Sequence, residues 1–353
     1  MKINRWEENI RKVTPYTPGE QPNKPDMLKL NTNENPYPPS PAVEMRLRQF
    51  DVGCLRLYPD PKAEALVNAL AKRYSVSPKQ VFVGVGSDDV LAMAFMTCFN
   101  SKKPILFPDI TYSFYEVWAE EFRIPYEKIP LDDSFHIRKE DYFRECGGII
   151  FPNPNAPTGE VESLSDIEEI VRNNQDVIVI VDEAYIDFGG ESALSLISKY
   201  DNLLVVQTFS KSRAMAGMRI GYAIGSSELI RALNDVKYSF NSYTLSQLAL
   251  SLSVAALEDE AYFQDIVHKI IATRERMKAE FAKLGFSFGD SQSNFLFVTH
   301  PKAFAKDIFE YLKERDIYVR YFNQPRIDNY LRITIGTDAQ MERLICALKD
   351  YLK

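Results

Sequence analysis

Lys211 stands where a lysine is costly. The run "NLLVVQ" before it is β-branched and apolar, and reads as a buried strand ending in "TFSK". An unpaired ammonium at such a place needs a partner. Asp182 poses the same problem with the opposite sign, at the end of the apolar run "VIVIV". An Asp182–Lys211 salt bridge would satisfy both. So would a ligand that offers a basic nitrogen to the carboxylate and an aldehyde to the amine.

Other strand ends carry matching groups. Ser87 and Asp88 follow "VFVGVG", "NPNAPTG" follows "GGIIF", Tyr185 follows Asp182, and Ser210 precedes Lys211, with Arg219 beside the next strand. In open α/β sheets ligands collect at the carboxyl ends of strands. The stretch Gly84–Asp88 opens a helix, whose free N–H groups and dipole suit a phosphate. Alone it reads as a plain βα turn. It is no dinucleotide fingerprint, because Asp89 stands where the third glycine belongs. A basic nitrogen, an aldehyde and a phosphate are the three handles of pyridoxal 5′-phosphate.

The elements that must position these groups can be read along the chain. Residues 14–41 hold eight of the 20 prolines and read as an extended arm, packed on its own domain or reaching a partner. Asp60-Pro61 offers an N-cap and a proline at the first helical position, with Leu66, Leu70 and Tyr74 spaced as a helix face. Ser165 to Glu168 reads as a capping box. "VFVGVG", "PILFPD", "GGIIFPNP", "DVIVIVDEAY", "NLLVVQTFS" and "RIGYAIG" are apolar strands that alternate with helices. Such alternation predicts an α/β fold, a mostly parallel sheet covered on both faces. Glu258 to Leu284 reads as one long amphipathic helix with Gly285 as its C-cap. Beyond it, "SNFLFVTH", "KAFAKDIFEYLKER", "IYVRYF", "YLRITIG" and a helix from Asp338 make a small α+β unit. The chain divides into an arm (1–45), a large domain (46–257) and a small C-terminal domain (258–353).

Bulk properties narrow the classes. A net charge of −7 argues against a nucleic-acid-binding surface. Cys54, Cys98, Cys146 and Cys346 are scattered without a CxxC pair, which fits reduced thiols in a cytoplasm. His136, His268 and His300 lie far apart and suggest no metal site. The N-terminus has no apolar core of a signal peptide, and no run approaches the ~18 residues of a membrane span.

The stretch from Thr208 to Gly217, with "NPNAPTG", "DEAYIDF" and "GMRIGY", resembles the class II pyridoxal-phosphate-dependent aminotransferases over essentially the whole chain. The pieces "VTPYTPG", "LNTNENP", "RLYPDP", "GVGSDD" and "LRITIGT" are similar to the histidinol-phosphate branch. The resemblance implies the fold type I of these transferases. It also implies a ping-pong exchange between histidinol phosphate with 2-oxoglutarate and imidazole-acetol phosphate with glutamate. Threonine-phosphate decarboxylases and aromatic aminotransferases share most of these motifs and stand as alternatives.

By the same resemblance, Lys211 is the Schiff-base lysine, Asp182 holds the pyridinium proton and Tyr185 donates to the ring's phenolic oxygen. Tyr112 stacks on the ring. Gly86, Ser87 and Asp88, with Ser210 and Arg219, hold the cofactor phosphate. Arg332 grips a carboxylate, and Arg320 helps take the substrate phosphate. Tyr16 and Tyr58 approach that phosphate, Tyr58 from the neighbouring subunit of a homodimer. The chain departs from the pattern at Ala156, where an asparagine commonly meets the phenolic oxygen, and at Asp89, where glutamate is more usual. Asn155 is expected to take the missing asparagine's role.

Overall fold

The computed structural model describes residues 5–16 and 19–353. The Thr17-Pro18 step of "VTPYTPG" and the first four residues of the N-terminal reading lie outside them. The arm holds little regular structure beyond a 3-10 turn at Arg5–Asn9 and β1 (Leu28–Lys29), and ends at α1 (Pro41–Arg48). Ser40 caps α1, accepting from the Val43 N–H, with proline at the first helical position.

Next come α2 (Glu64–Tyr74), β2 (Val81–Gly84), α3 (Gly86–Cys98), β3 (Ile105–Pro108), α4 (Phe114–Phe122) and β4 (Tyr126–Ile129). Then follow β5 (Gly148–Pro152), α5 (Leu164–Asn173), β6 (Val179–Asp182), β7 (Leu203–Thr208), β8 (Gly221–Gly225), α6 (Ser227–Phe240) and α7 (Gln247–Glu258). Among the described residues the strands form a seven-stranded sheet in the order β2-β8-β7-β6-β5-β3-β4, parallel except at β8. Strand residues alternate between two cores. Val179 and Val181 face α2, α5 and α7, whereas Ile180 faces α3, α4 and α6. Asp182 follows Ile180 on that second face, and Glu183 turns to the first.

The remainder is α8 (Glu260–Lys283), β9 (Ser287–Phe288), β10 (Phe295–Thr299), α9 (Ala305–Lys313), β11 (Ile317–Tyr318), β12 (Arg320–Tyr321), β13 (Leu331–Thr334) and α10 (Asp338–Tyr351). An antiparallel sheet in the order β12-β13-β10-β9 packs on these helices. The stretch "IYVRYF", expected as one strand, serves two sheets. Its first half pairs in parallel with β1, which ties the arm to this unit of its own chain, and its second half pairs with β13.

Three helix starts differ from expectation. Ser163, not Ser165, caps α5, because Ser163 has the extended backbone that a cap needs and accepts from the Asp166 N–H at 3.1 Å. Asp60 caps a turn instead: its carboxylate accepts from the N–H groups of Lys62 and Glu64, and α2 begins at Glu64. The long helix starts at Glu260, with Asp259 as its cap, while Glu258 ends α7.

Candidate active site

A cleft of about 240 Å³ opens at the carboxyl ends of β6 and β7, between the large sheet and the C-terminal unit. Asp182 and Lys211 both line it. They do not pair with each other. The Asp182 carboxylate, 4% exposed, accepts from the Tyr115 hydroxyl at 2.8 Å and from the Ala184 N–H at 3.3 Å. Burial pushes its carboxyl up to about 6, and those two donors hold it back only in part. Lys211 Nζ donates to the Thr32 carbonyl at 3.1 Å and lies 5.7 Å from the centre of the Tyr185 ring. Both charges are thus left to face the cleft. Glu183, next along the chain, is bonded away from it to Ser192, Ala193 and Gln207, and burial raises its carboxyl to about 7.

One end of the cleft is built for an anion. Because β8 runs antiparallel, Gly221 pairs with both Thr208 and Gly84, and its preceding loop arrives at the same sheet edge. This brings Arg219 beside the start of α3. Its guanidinium lies 3.5 Å from Ser210 Oγ and 3.3 Å from Asp88 Oδ2. Gly86, at φ 83°, sits beneath it, and a Cβ there would run into the Arg219 guanidinium. Ser87 and Ser210 complete the cup. Tyr112 lies beside it, its hydroxyl donating to Asp88 Oδ1 at 2.8 Å.

The opposite wall carries Arg320 and Arg332, which are direct cross-strand partners on β12 and β13. Like charges placed opposite each other are unfavourable unless an anion lies between them. Arg332 Nη2 donates to the Asn31 carbonyl at 2.9 Å, but its Nε is buried with no partner among the described residues. Burial pulls its guanidinium below its ordinary pKa. Tyr16 also lines the cleft and stacks on Phe114 with ring centres 4.2 Å apart.

Two expected residues are elsewhere. Tyr58 is 80% exposed, against Tyr243 and away from this cleft. Asn155 is buried behind the wall; its amide nitrogen donates to Ile110 O and Thr158 Oγ1, both at 3.0 Å, and Ala156 lines the cleft instead. Residues that the strand-end reading passed over also matter. Tyr115 holds Asp182, and Asn33 donates to the Tyr185 hydroxyl at 2.9 Å. Only the "LNTNENP" motif hinted at Asn33, and nothing in the local pattern singled out Tyr115.

The family described as aminotransferase class I and II matches residues 25–348. The histidinol-phosphate aminotransferase of Lactococcus lactis subsp. cremoris (strain MG1363) is 55% identical over 348 residues, covering 99% of this chain and 98% of the relative. The chain belongs to the class I and II aminotransferases. Solved structures share the fold. A histidinol-phosphate aminotransferase from Sinorhizobium meliloti in complex with pyridoxal-5'-phosphate aligns with a TM-score of 0.85 at 24% identity, over 92% of this chain and 90% of that one. An L-threonine-O-3-phosphate decarboxylase from Porphyromonas gingivalis aligns at 0.80 with 23% identity, over 92% and 99%.

Aminotransferases of this family use pyridoxal phosphate, and the cleft fits that group on its own chemistry. Asp182 is a buried carboxylate with no ion-pair partner among the described residues, Lys211 is a primary amine facing the same space, and Arg219 with Ser210 and Ser87 forms an anion cup kept open by Gly86. Among the described residues no cluster of side chains suits a metal ion.

Proposed function

We propose that this aminotransferase transfers an amino group between histidinol phosphate and 2-oxoglutarate, in either direction, using pyridoxal phosphate in the cleft at the ends of β6 and β7. The observation that carries the reading is the pairing of an uncompensated Asp182–Lys211 couple with two opposed arginines in one pocket. Bound there, pyridoxal phosphate supplies an electron sink conjugated to the substrate's α-carbon.

The chain's residues do the rest. Lys211 Nζ takes the proton from the substrate α-carbon. Asp182 keeps a proton on the ring nitrogen, which gives its buried carboxylate the cation it lacks. Tyr185 donates to the phenolic oxygen, and Tyr112 covers the ring. Backbone N–H groups at Gly86, Ser87 and Asp88, with the side chains of Ser210 and Arg219, hold the phosphate. Arg332 and Arg320 take the carboxylate of glutamate in one half-reaction and the substrate phosphate in the other, since a guanidinium pairs with either anion. Tyr16 closes over the substrate phosphate. Asn155 stays behind the wall, its amide nitrogen held by Ile110 and Thr158, and takes no part in these contacts.

We further read the chain as a cytoplasmic homodimer, with residues 46–257 as its cofactor-binding domain. Val52, Leu55, Leu57, Tyr58 and Phe240 are between 53% and 80% exposed, and apolar side chains of this kind suit a surface that a partner covers. A second copy covering that surface would bring Tyr58 toward its partner's cleft. No helix among the described residues is long and apolar enough to cross a membrane.

Separate assays with histidinol phosphate, threonine phosphate and phenylalanine test the substrate. The reading requires 2-oxoglutarate-dependent transfer from histidinol phosphate with the highest kcat/KM. Release of carbon dioxide from threonine phosphate without 2-oxoglutarate would replace it with the decarboxylase.

A further inference from the structure

Tyr185 has one proton to give, and a buried amide decides where it goes. Asn33 is 1% exposed and holds a left-handed backbone at φ 57°. Its Oδ1 accepts from Thr334 Oγ1 at 3.1 Å, and its own N–H donates to that hydroxyl at 3.0 Å. Its carbonyl accepts from Asn294 Nδ2 at 3.0 Å. With the amide oxygen fixed on Thr334, the amide nitrogen is turned toward Tyr185 and donates to its hydroxyl at 2.9 Å. An amide N–H can only donate, so the Tyr185 oxygen accepts there. Among the described residues that hydroxyl has no other hydrogen-bond partner. Its proton is therefore free for an acceptor on the cleft side.

The neighbouring wall makes this bond matter more. Ala156 lines the cleft without a polar side chain, and the Asn155 amide nitrogen is tied to Ile110 and Thr158. No second amide from that loop supports Tyr185.

We propose that Asn33 is a positioning residue for Tyr185: its amide nitrogen occupies a lone pair of the phenol oxygen and so aims the Tyr185 proton at the phenolic oxygen of pyridoxal phosphate. The inference rests on the reading that Tyr185 meets that oxygen. Accepting from Asn33 also polarises the hydroxyl and makes it a better donor, by roughly 10–30% per bond in a chain. A donor at the phenolic oxygen favours its anionic form. It thereby disfavours a proton on the adjacent nitrogen that joins Lys211 to the cofactor. Without Asn33 that nitrogen keeps its proton to higher pH.

The test is a visible-absorbance pH titration of the holoenzyme, run as a double-mutant cycle with Asn33→Gly and Tyr185→Phe. Glycine adopts the φ of residue 33 freely, so the backbone is kept while the amide is lost. Asn33→Gly should raise the midpoint by about half to one pH unit, up to about tenfold in the protonation equilibrium. In the Tyr185→Phe background it should add almost nothing. Should the glycine variant not fold, Asn33→Asp keeps the size and backbone preference but turns the donor into an acceptor that draws the Tyr185 proton away, and it should raise the midpoint further with Tyr185 present than in Tyr185→Phe. If Tyr185→Phe leaves the midpoint in place, the reading of Tyr185 itself falls. If Tyr185→Phe moves it but the Asn33 variant does not, or moves it equally without the Tyr185 hydroxyl, the role of Asn33 is overturned.

Discussion

Asp182 and Lys211 line one cleft, yet each is bonded to a neutral group, Tyr115 in one case and the Thr32 carbonyl in the other. That arrangement leaves both charges for a ligand. Lys211→Ala should therefore abolish turnover, by about a hundred- to ten-thousandfold for the loss of a positioned base and more for the lost covalent link. It should also remove the visible band due to the lysine–cofactor bond; normal turnover by that variant would end the mechanism. For Asp182 the cofactor-free protein gives a second test. Burial raises its carboxyl from 3.8 to about 6. A raised acid contributes its stability in full below about pH 4 and loses it as pH climbs through 6. Asp182→Asn should remove up to about 3 kcal/mol of the difference in unfolding free energy between pH 4 and pH 7. Denaturant titrations of both cofactor-free proteins measure this, and identical pH dependence would show that the carboxylate is not desolvated as described.

At the scale of elements, the site is made by two pairings. The antiparallel β8 carries Arg219 back to the start of α3, and the β12–β13 register sets Arg320 against Arg332. Arg332→Lys should raise KM for 2-oxoglutarate about tenfold or more, because an ammonium cannot replace the bidentate fork. Arg320→Ala should raise KM for histidinol phosphate more than for 2-oxoglutarate, and equal effects on both substrates would remove the phosphate from its role. These strand-end charges were legible in the sequence because a lysine, an aspartate or an arginine beside an apolar run stands out. Asn33 was not, since its orienting partner Thr334 lies 301 residues away and only the fold joins them. Tyr115 was hidden likewise, as an aromatic on a helix reads as core until its hydroxyl is seen on Asp182. The cap of α5 lies two residues before Ser165, where two serines compete, and that of α2 lies three residues after Asp60, whose carboxylate holds the turn ahead of the helix. The strand "IYVRYF" was divided by an arm that its own sequence cannot announce.

The whole molecule presents an apolar surface around Val52–Tyr58 and the end of α6. The segment is held firmly for an exposed one: Gln247 Nε2 donates to the carbonyls of Cys54 at 3.1 Å and Leu57 at 3.2 Å. If Tyr58 serves the partner's cleft, mixing Tyr58→Ala with Lys211→Ala subunits should restore activity. Each mixed dimer then holds one site with both residues intact, and no recovery beyond the separate variants would place Tyr58 outside the reaction. The central claim is that one cleft takes two different anionic substrates in turn through Lys211. The most direct measurement is the isolated half-reaction: holoenzyme mixed with histidinol phosphate and no oxo acid, followed by product and visible absorbance. One keto product per site is expected, with loss of the band and its return on adding 2-oxoglutarate. Continuous turnover without an oxo acid, or a band that neither fades with histidinol phosphate nor returns with 2-oxoglutarate, would contradict the claim.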